Sequence, residues 1–87
     1  MISESDKRII RELSEKYHVK RVLIFGSNAD LSKEGRDIDL AVEGIAPRDF
    51  FKFYGNLMLK LSKPVDLIDL SEKSKFATIV KREGIPI

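Results

Sequence analysis

Cysteine is absent from the 87 residues, which excludes disulfides, thiolate metal sites and cysteine nucleophiles. Histidine occurs once, as His18, so a multi-histidine zinc site has no ligand set. Long apolar runs are missing too. Val22-Leu23-Ile24-Phe25 is typical of the longest, far short of the roughly 20 residues needed to span a bilayer. No repeat or low-complexity tract occurs, and charge of one sign is not concentrated anywhere. The 16 basic and 14 acidic residues are interspersed and leave a net charge of +2. That balance suits a phosphate-bearing ligand and is unlike a nucleic-acid-binding tail, so no direct nucleic-acid binding is expected. The opening "MISESDKRII" puts acidic residues before any apolar run, unlike a secretory signal, and a soluble, cytoplasmic protein is the expectation. The groups left for chemistry are carboxylates.

With 43% apolar residues, positions 1–87 are expected to form one domain with a thin core. Residues 3–18 carry Ile9, Ile10, Leu13 and Tyr17 at helical spacing, and Ser3 with Asp6 resembles a capping box. "KRVLIF" reads as a strand buried on both faces and stopped by Gly26. A polar stretch over 27–36 precedes a second strand, "RDIDLAVEG". Pro47 opens a long helix to about Lys63, with Phe50, Tyr54, Leu57, Met58 and Leu61 as its expected core stripe. "PVDLIDL" is a third strand. A last helix is expected around Phe76, Ile79 and Val80, capped by Gly84, and "IPI" adds a short edge strand. The pattern predicts an α+β (α/β sandwich) fold, with a small mixed β-sheet and helices packed mainly on one face.

Strand alternation places Ile38, Leu40 and Val42 on one face and Asp37, Asp39 and Ala41 on the other. Asp37 and Asp39 therefore point the same way, with Cα atoms about 6.5–7 Å apart, within reach of a shared divalent ion. Magnesium suits such a pair because it prefers hard oxygen ligands and shares its shell with substrate phosphates. A solvated strand face would hold the same two residues without chemistry. A third carboxylate is needed for a two-metal clamp. Asp66 is the favoured candidate, because an Asp inside an apolar strand is costly unless paired or metal-bound. Asp69, at the strand's exit, is the other. Gly26-Ser27 ends the first strand, where glycine admits a ligand close to the backbone and the turn offers N–H groups to phosphate oxygens. The Gly-Lys-Ser/Thr ending of a Walker loop is missing.

Taken together, "VLIFGSNADLSKEGRDIDLAV", "PVDLIDL" and "KREGIPI" resemble the minimal nucleotidyltransferase domains of the DNA polymerase β superfamily, over nearly the whole chain. The resemblance implies that Gly26 and Ser27 contact the phosphates of a nucleotide triphosphate. It also implies that Asp37, Asp39 and Asp66 are the catalytic, magnesium-binding carboxylates, with Asp66 placed to assist deprotonation of the attacking hydroxyl. Many such domains are antitoxins that transfer AMP from ATP to a tyrosine of a HEPN-domain ribonuclease toxin. The resemblance thus implies ATP as substrate, Mg2+ as cofactor and a HEPN toxin as partner. An antitoxin acting by contact alone, or nucleotidyl transfer to RNA or a small molecule, are the alternatives. This chain departs from the family in its loop: "NADLSKEG" lacks the Arg that commonly follows Gly-Ser, and Arg36 stands where a Ser usually precedes the first Asp. Lys33 and Arg36 are the candidate replacement cations.

Phe50, Phe51, Phe53 and Tyr54 cover more than half of their helix's circumference, so one buried face does not account for all four. Burial of most of them by the small sheet and neighbouring helices is the first expectation, and an exposed Phe51 or Phe53 forming part of a protein-binding surface is the alternative.

Overall fold

A computed structural model of the protein describes residues 2–26, 37–71 and 73–87. Ser27, and the loop departures from Asn28 to Arg36, lie outside the described residues. The chain runs α1 (Glu4–Lys16), β1 (Arg21–Phe25), β2 (Ile38–Glu43), α2 (Pro47–Lys60), β3 (Val65–Asp69), α3 (Lys75–Glu83) and β4 (Ile85–Pro86).

Helix α1 begins where Ser3 Oγ accepts a hydrogen bond from the Asp6 amide at 3.1 Å. Glu4 and Asp6 in the first turn and Lys16 in the last complement the helix dipole. The expected reciprocal half of a capping box does not form. The Asp6 carboxylate turns inward instead, only 3% exposed, and accepts from Ser62 N at 3.1 Å and Ser62 Oγ at 2.5 Å. A short acidic side chain near the start of α1 thereby ties down the turn that follows α2. Proline at the first position of α2 needs no N–H partner there, which suits a start capped by Ala46 without a side-chain bond.

The sheet order is β3-β2-β1-β4. β1 lies antiparallel to β2, with Arg21 opposite Glu43 and Phe25 opposite Asp39. α2 carries the chain across to β3, which runs parallel to β2. β4 adds antiparallel to β1 at the sheet edge, where Pro86 costs no inner ladder bond. This is the mixed α+β architecture that the residue pattern predicts.

Alternation on β2 sorts the core. Ile38, Leu40 and Val42 join Val22, Ile24, Ile10, Leu13, Phe53 and Leu57 under α1 and α2. Leu23, Ala41 and Leu70 meet Ala77 and Val80 of α3 on the opposite face. Two helices thus cover one face and one helix the other. Each fully buried Leu, Ile or Phe contributes about 1.5–3 kcal/mol through removal from water.

Several side chains lie elsewhere than the periodicity suggests. Phe53 is fully buried and meets Tyr17 edge to face at 6.0 Å, whereas Met58 is 59% exposed. The core stripe of α2 is therefore Phe53, Leu57 and Leu61, with Phe50 and Tyr54 packed at its border. On α3, Phe76 and Ile79 are exposed and Ala77 and Val80 are the buried pair. Gly84 ends α3 at φ −66°, not in the left-handed region. Glycine fits here for a different reason: an added Cβ would lie 2.6 Å from the Val80 carbonyl oxygen and 3.1 Å from Leu23 Cβ. An acid-base cluster fastens α3 to the sheet, as Lys81 Nζ and Arg21 Nη2 approach Glu43 at 3.0 and 3.5 Å. No described helix is long and apolar enough to cross a membrane.

Candidate active site

Asp39 is the second residue of β2, and Asp66 is the second residue of β3. Because the strands are parallel and in register, the two are direct Cα partners. Alternation puts both on the α3 face, along with Ala41 and Ile68. Asp66 is exposed there, while Asp39 is half-buried. Asp37 stands exposed just before β2 begins. Burial, the charges of Asp66 and Asp37, and a hydrogen bond with Asp66 together hold the Asp39 carboxyl above the usual carboxylate range.

Gly26 closes the site from the β1 side. Its φ of +70° is a left-handed conformation that side chains disfavour, and an added Cβ would strike Asp39 Oδ2. The end of β1 and the acidic strand approach so closely that only hydrogen fits between them. Asp69 is positioned differently. Its register partner is Val42, it points to the opposite face from Asp66, and its Oδ1 accepts from Ser71 N at 2.9 Å. The strand register therefore brings Asp66, and not Asp69, to Asp39.

The donor chemistry fits magnesium: hard carboxylate oxygens crowd together at a half-open edge, and Asp39 bears the cost of unneutralised negative charge. Among the described residues, no three His, Cys, Asp or Glu side chains close on one ligation point. Asp39 and Asp66 are the pair in contact, and Asp37 acts on Asp39 through its charge.

Among the described residues, two hollows flank this centre. One, of about 400 Å³, opens between the end of β1 and α3 and is lined by Phe25, Gly26, Phe76, Ile79, Glu83 and Gly84. Phe25 and Phe76 meet edge to face there, with centroids 5.9 Å apart. The other, of about 520 Å³, runs along the edge between α2 and β3, past Tyr54, Met58, Pro64 and Val65, and reaches Asp66. Tyr54 Oη donates to the Val65 carbonyl at 3.2 Å and holds its wall. Assigning Phe76 and Ile79 to the core hid the first hollow. The available signal was a mismatch: four apolar positions on a short helix, facing a sheet surface that offers mainly Leu23 and Ala41.

Residues 7–87 match the family model described as polymerase beta, nucleotidyltransferase. The chain belongs to the polymerase β nucleotidyltransferase family. Among curated proteins of this kind is MJ1215 of Methanocaldococcus jannaschii, provisionally named a protein adenylyltransferase. It is 43% identical over 54 residues, which are 61% of this chain and 63% of that relative. The chain thus matches less than two thirds of its relative's length. Among solved structures, a toxin–antitoxin complex with AMP-PNP superposes with a TM-score of 0.73 at 23% identity, over 92% of this chain and 70% of that one. The toxin–antitoxin MntA–HepT superposes with a TM-score of 0.70 at 21% identity, over 97% and 70%. At these identities the likeness is one of fold, and it establishes the nucleotidyltransferase fold that the sequence motifs imply.

Proposed function

We propose that this chain, working as one domain in the cytoplasm, is a magnesium-dependent nucleotidyltransferase. It transfers AMP from ATP to a tyrosine of a HEPN ribonuclease toxin and so acts as its antitoxin. The observation that carries the reading is the Asp39–Asp66 register pair with Gly26 pressed against Asp39. Membership in the family, the adenylyltransferase name of a relative and the toxin–antitoxin setting of two structural neighbours support it.

In the reaction the acceptor hydroxyl oxygen attacks the α-phosphorus of ATP. A new phosphorus–oxygen bond forms as the bond to the bridging oxygen breaks, and pyrophosphate leaves. Such transfer depends on in-line positioning and charge neutralisation. Gly26 and Ser27 hold the phosphates. Asp37, Asp39 and Asp66 are the residues that would hold magnesium, which supplies charge neutralisation at the phosphates when bound. Asp66, exposed at the end of the α2–β3 groove, is placed to take the proton of an incoming hydroxyl.

A protein acceptor is favoured by the surface of α2. Phe51 and Leu59 are 77% and 86% exposed, and with Met58 they fall on one helical stripe, at positions i, i+7 and i+8. Gly55, at i+4, leaves open space in the same stripe. Met58 also lines the groove that reaches Asp66, so a partner seated on α2 has a path for its acceptor side chain. Lys52 flanks the stripe, is exposed and suits a partner with an acidic rim.

The test is to mix the protein with its genetically adjacent partner, ATP and magnesium, and to weigh the partner by intact mass spectrometry. An adenylate-sized increase that disappears with Asp39→Asn is the expected result. Inhibition of the partner at unchanged mass, equally strong with Asp39→Asn, would replace catalysis with neutralisation by contact.

A further inference from the structure

The hollow beside Gly26 has a form that phosphate binding alone does not require. Phe76, Ile79, Val80 and Glu83 occupy positions i, i+3, i+4 and i+7 of α3, so one continuous face of that helix forms its wall. Phe76 is 54% exposed and Ile79 is 44% exposed, although both sit on the helix that covers the small core. Phe25 forms the other side, in edge-to-face contact with Phe76. The volume, about 400 Å³, lies within the range of small-ligand sites. The hollow is also continuous with Gly26, whose Cα borders the Asp39 carboxylate. Apolar walls with one carboxylate at their border, next to a phosphate turn, match a nucleobase better than a sugar or a further phosphate.

We propose that this hollow receives the base of the donor nucleotide, with Phe76 as the stacking ring and Glu83 as the group that selects among bases. The inference rests on the nucleotidyl-transfer reading and adds a base preference to it. An ionised carboxylate only accepts hydrogen bonds. Glu83 therefore favours a base that presents an exocyclic amine, as adenine does at N6, and disfavours hypoxanthine, which carries a carbonyl oxygen there. Glu83, the last residue of α3, lines the hollow, and its Oε1 lies 3.8 Å from Arg82 Nη2. Its contribution is specificity, while the ring supplies affinity.

Calorimetric titration of the intact protein with ATP, ITP and tripolyphosphate in the presence of magnesium tests this. ATP is expected to bind about ten-fold tighter than tripolyphosphate, in line with a base stacked on one aromatic ring. Phe76→Ala should bring ATP to the tripolyphosphate level and leave tripolyphosphate unchanged, and Phe76→Tyr should retain the preference. Glu83→Gln should narrow the gap between ATP and ITP, because the amide of Gln donates to the hypoxanthine oxygen. Equal affinity of the wild-type protein for ATP and tripolyphosphate overturns the base site and leaves the phosphate site standing. So does Phe76→Ala weakening both ligands alike. Equal affinity for ATP and ITP in both wild type and Glu83→Gln overturns the role of Glu83. Failure of the wild-type protein to bind either ATP or tripolyphosphate overturns nucleotidyl transfer itself, and the base site with it.

Discussion

Asp39 and Asp66 are direct partners across the parallel strands β2 and β3, and their carboxyl groups share a hydrogen bond. With burial as the largest cause and the neighbouring charges next, Asp39 ionises less readily in the folded chain than its ordinary value of 3.8 implies. A carboxyl raised in this way destabilises the fold once it is ionised. The cost is absent below pH 3.8 and grows as pH rises through the raised value. Asp39→Asn is therefore expected to raise the melting temperature at neutral pH, with the difference closing below about pH 4. The same variant should lose about 10²–10³-fold in transfer rate, as for loss of a group that stabilises developing charge. Magnesium should raise the melting temperature of the wild type more than that of Asp39→Asn, and chelation should reverse this. A variant that melts lower than wild type at pH 7 would count against the coupled acidic pair.

Gly26→Ala places a methyl group where Asp39 Oδ2 lies, on a backbone at φ +70°. The left-handed backbone alone costs about 1–2 kcal/mol. Displacement of Asp39 by a fraction of an ångström to 1 Å is expected to lower transfer by up to about 10²-fold. Stability and single-turnover rate, measured on the same preparation, separate the two effects. A variant with wild-type turnover would show that the contact has no bearing on the chemistry.

Phe51 and Phe53 lie two positions apart on α2 and should respond in opposite ways. Phe53→Ala empties the centre of the main core and is expected to cost about 3–5 kcal/mol in chemical denaturation. Phe51→Ala should fall within about 0.5 kcal/mol of wild type. Phe51→Asp, at similar stability, should weaken association with the genetically adjacent partner proposed above. Unchanged association would remove α2 from the partner surface.

Glu43 links α3 to the sheet, and its carboxyl is held below the usual range. The hydrogen bond from Lys81 is the largest cause, partly offset by desolvation, with the charges of Lys81, Arg21 and Lys20 adding to the lowering. A lowered carboxyl contributes stability that is fully present above its unfolded value of about 4.5 and is lost as pH falls through the lower folded value. Glu43→Gln should accordingly melt below wild type at pH 7 and converge with it in acid. Parallel curves from pH 7 to pH 3 would contradict the assignment.

Much of the site was legible along the chain because strands have a period of two. Asp37, Asp39 and Ala41 had to share a face once Ile38, Leu40 and Val42 were assigned to the core. That Asp66 rather than Asp69 meets Asp39 depends on strand register, which long-range packing determines. The aromatic residues of α2 were ambiguous for a related reason. A helix with apolar groups over most of its circumference does not indicate which side the neighbouring elements will cover. Phe53 became the buried ring because Tyr17 of the preceding helix–strand connection packs against it. The Asp6–Ser62 bond joins positions 56 apart and has no local signature, since the same Asp equally suits the first turn of an isolated helix.

The division of the core by the sheet has a consequence for motion. α3 is held by the smaller cluster of Leu23, Ala41, Leu70, Ala77 and Val80, while β2 contributes to both faces. Contiguous elements with fewer buried contacts open first in native-state hydrogen exchange. Amides of α3 are expected to exchange through a sub-global opening that leaves β1, β2, α1 and α2 protected. The wall that carries Phe76 then behaves as a separate cooperative unit, able to part from the sheet while the strand bearing Asp39 stays in place.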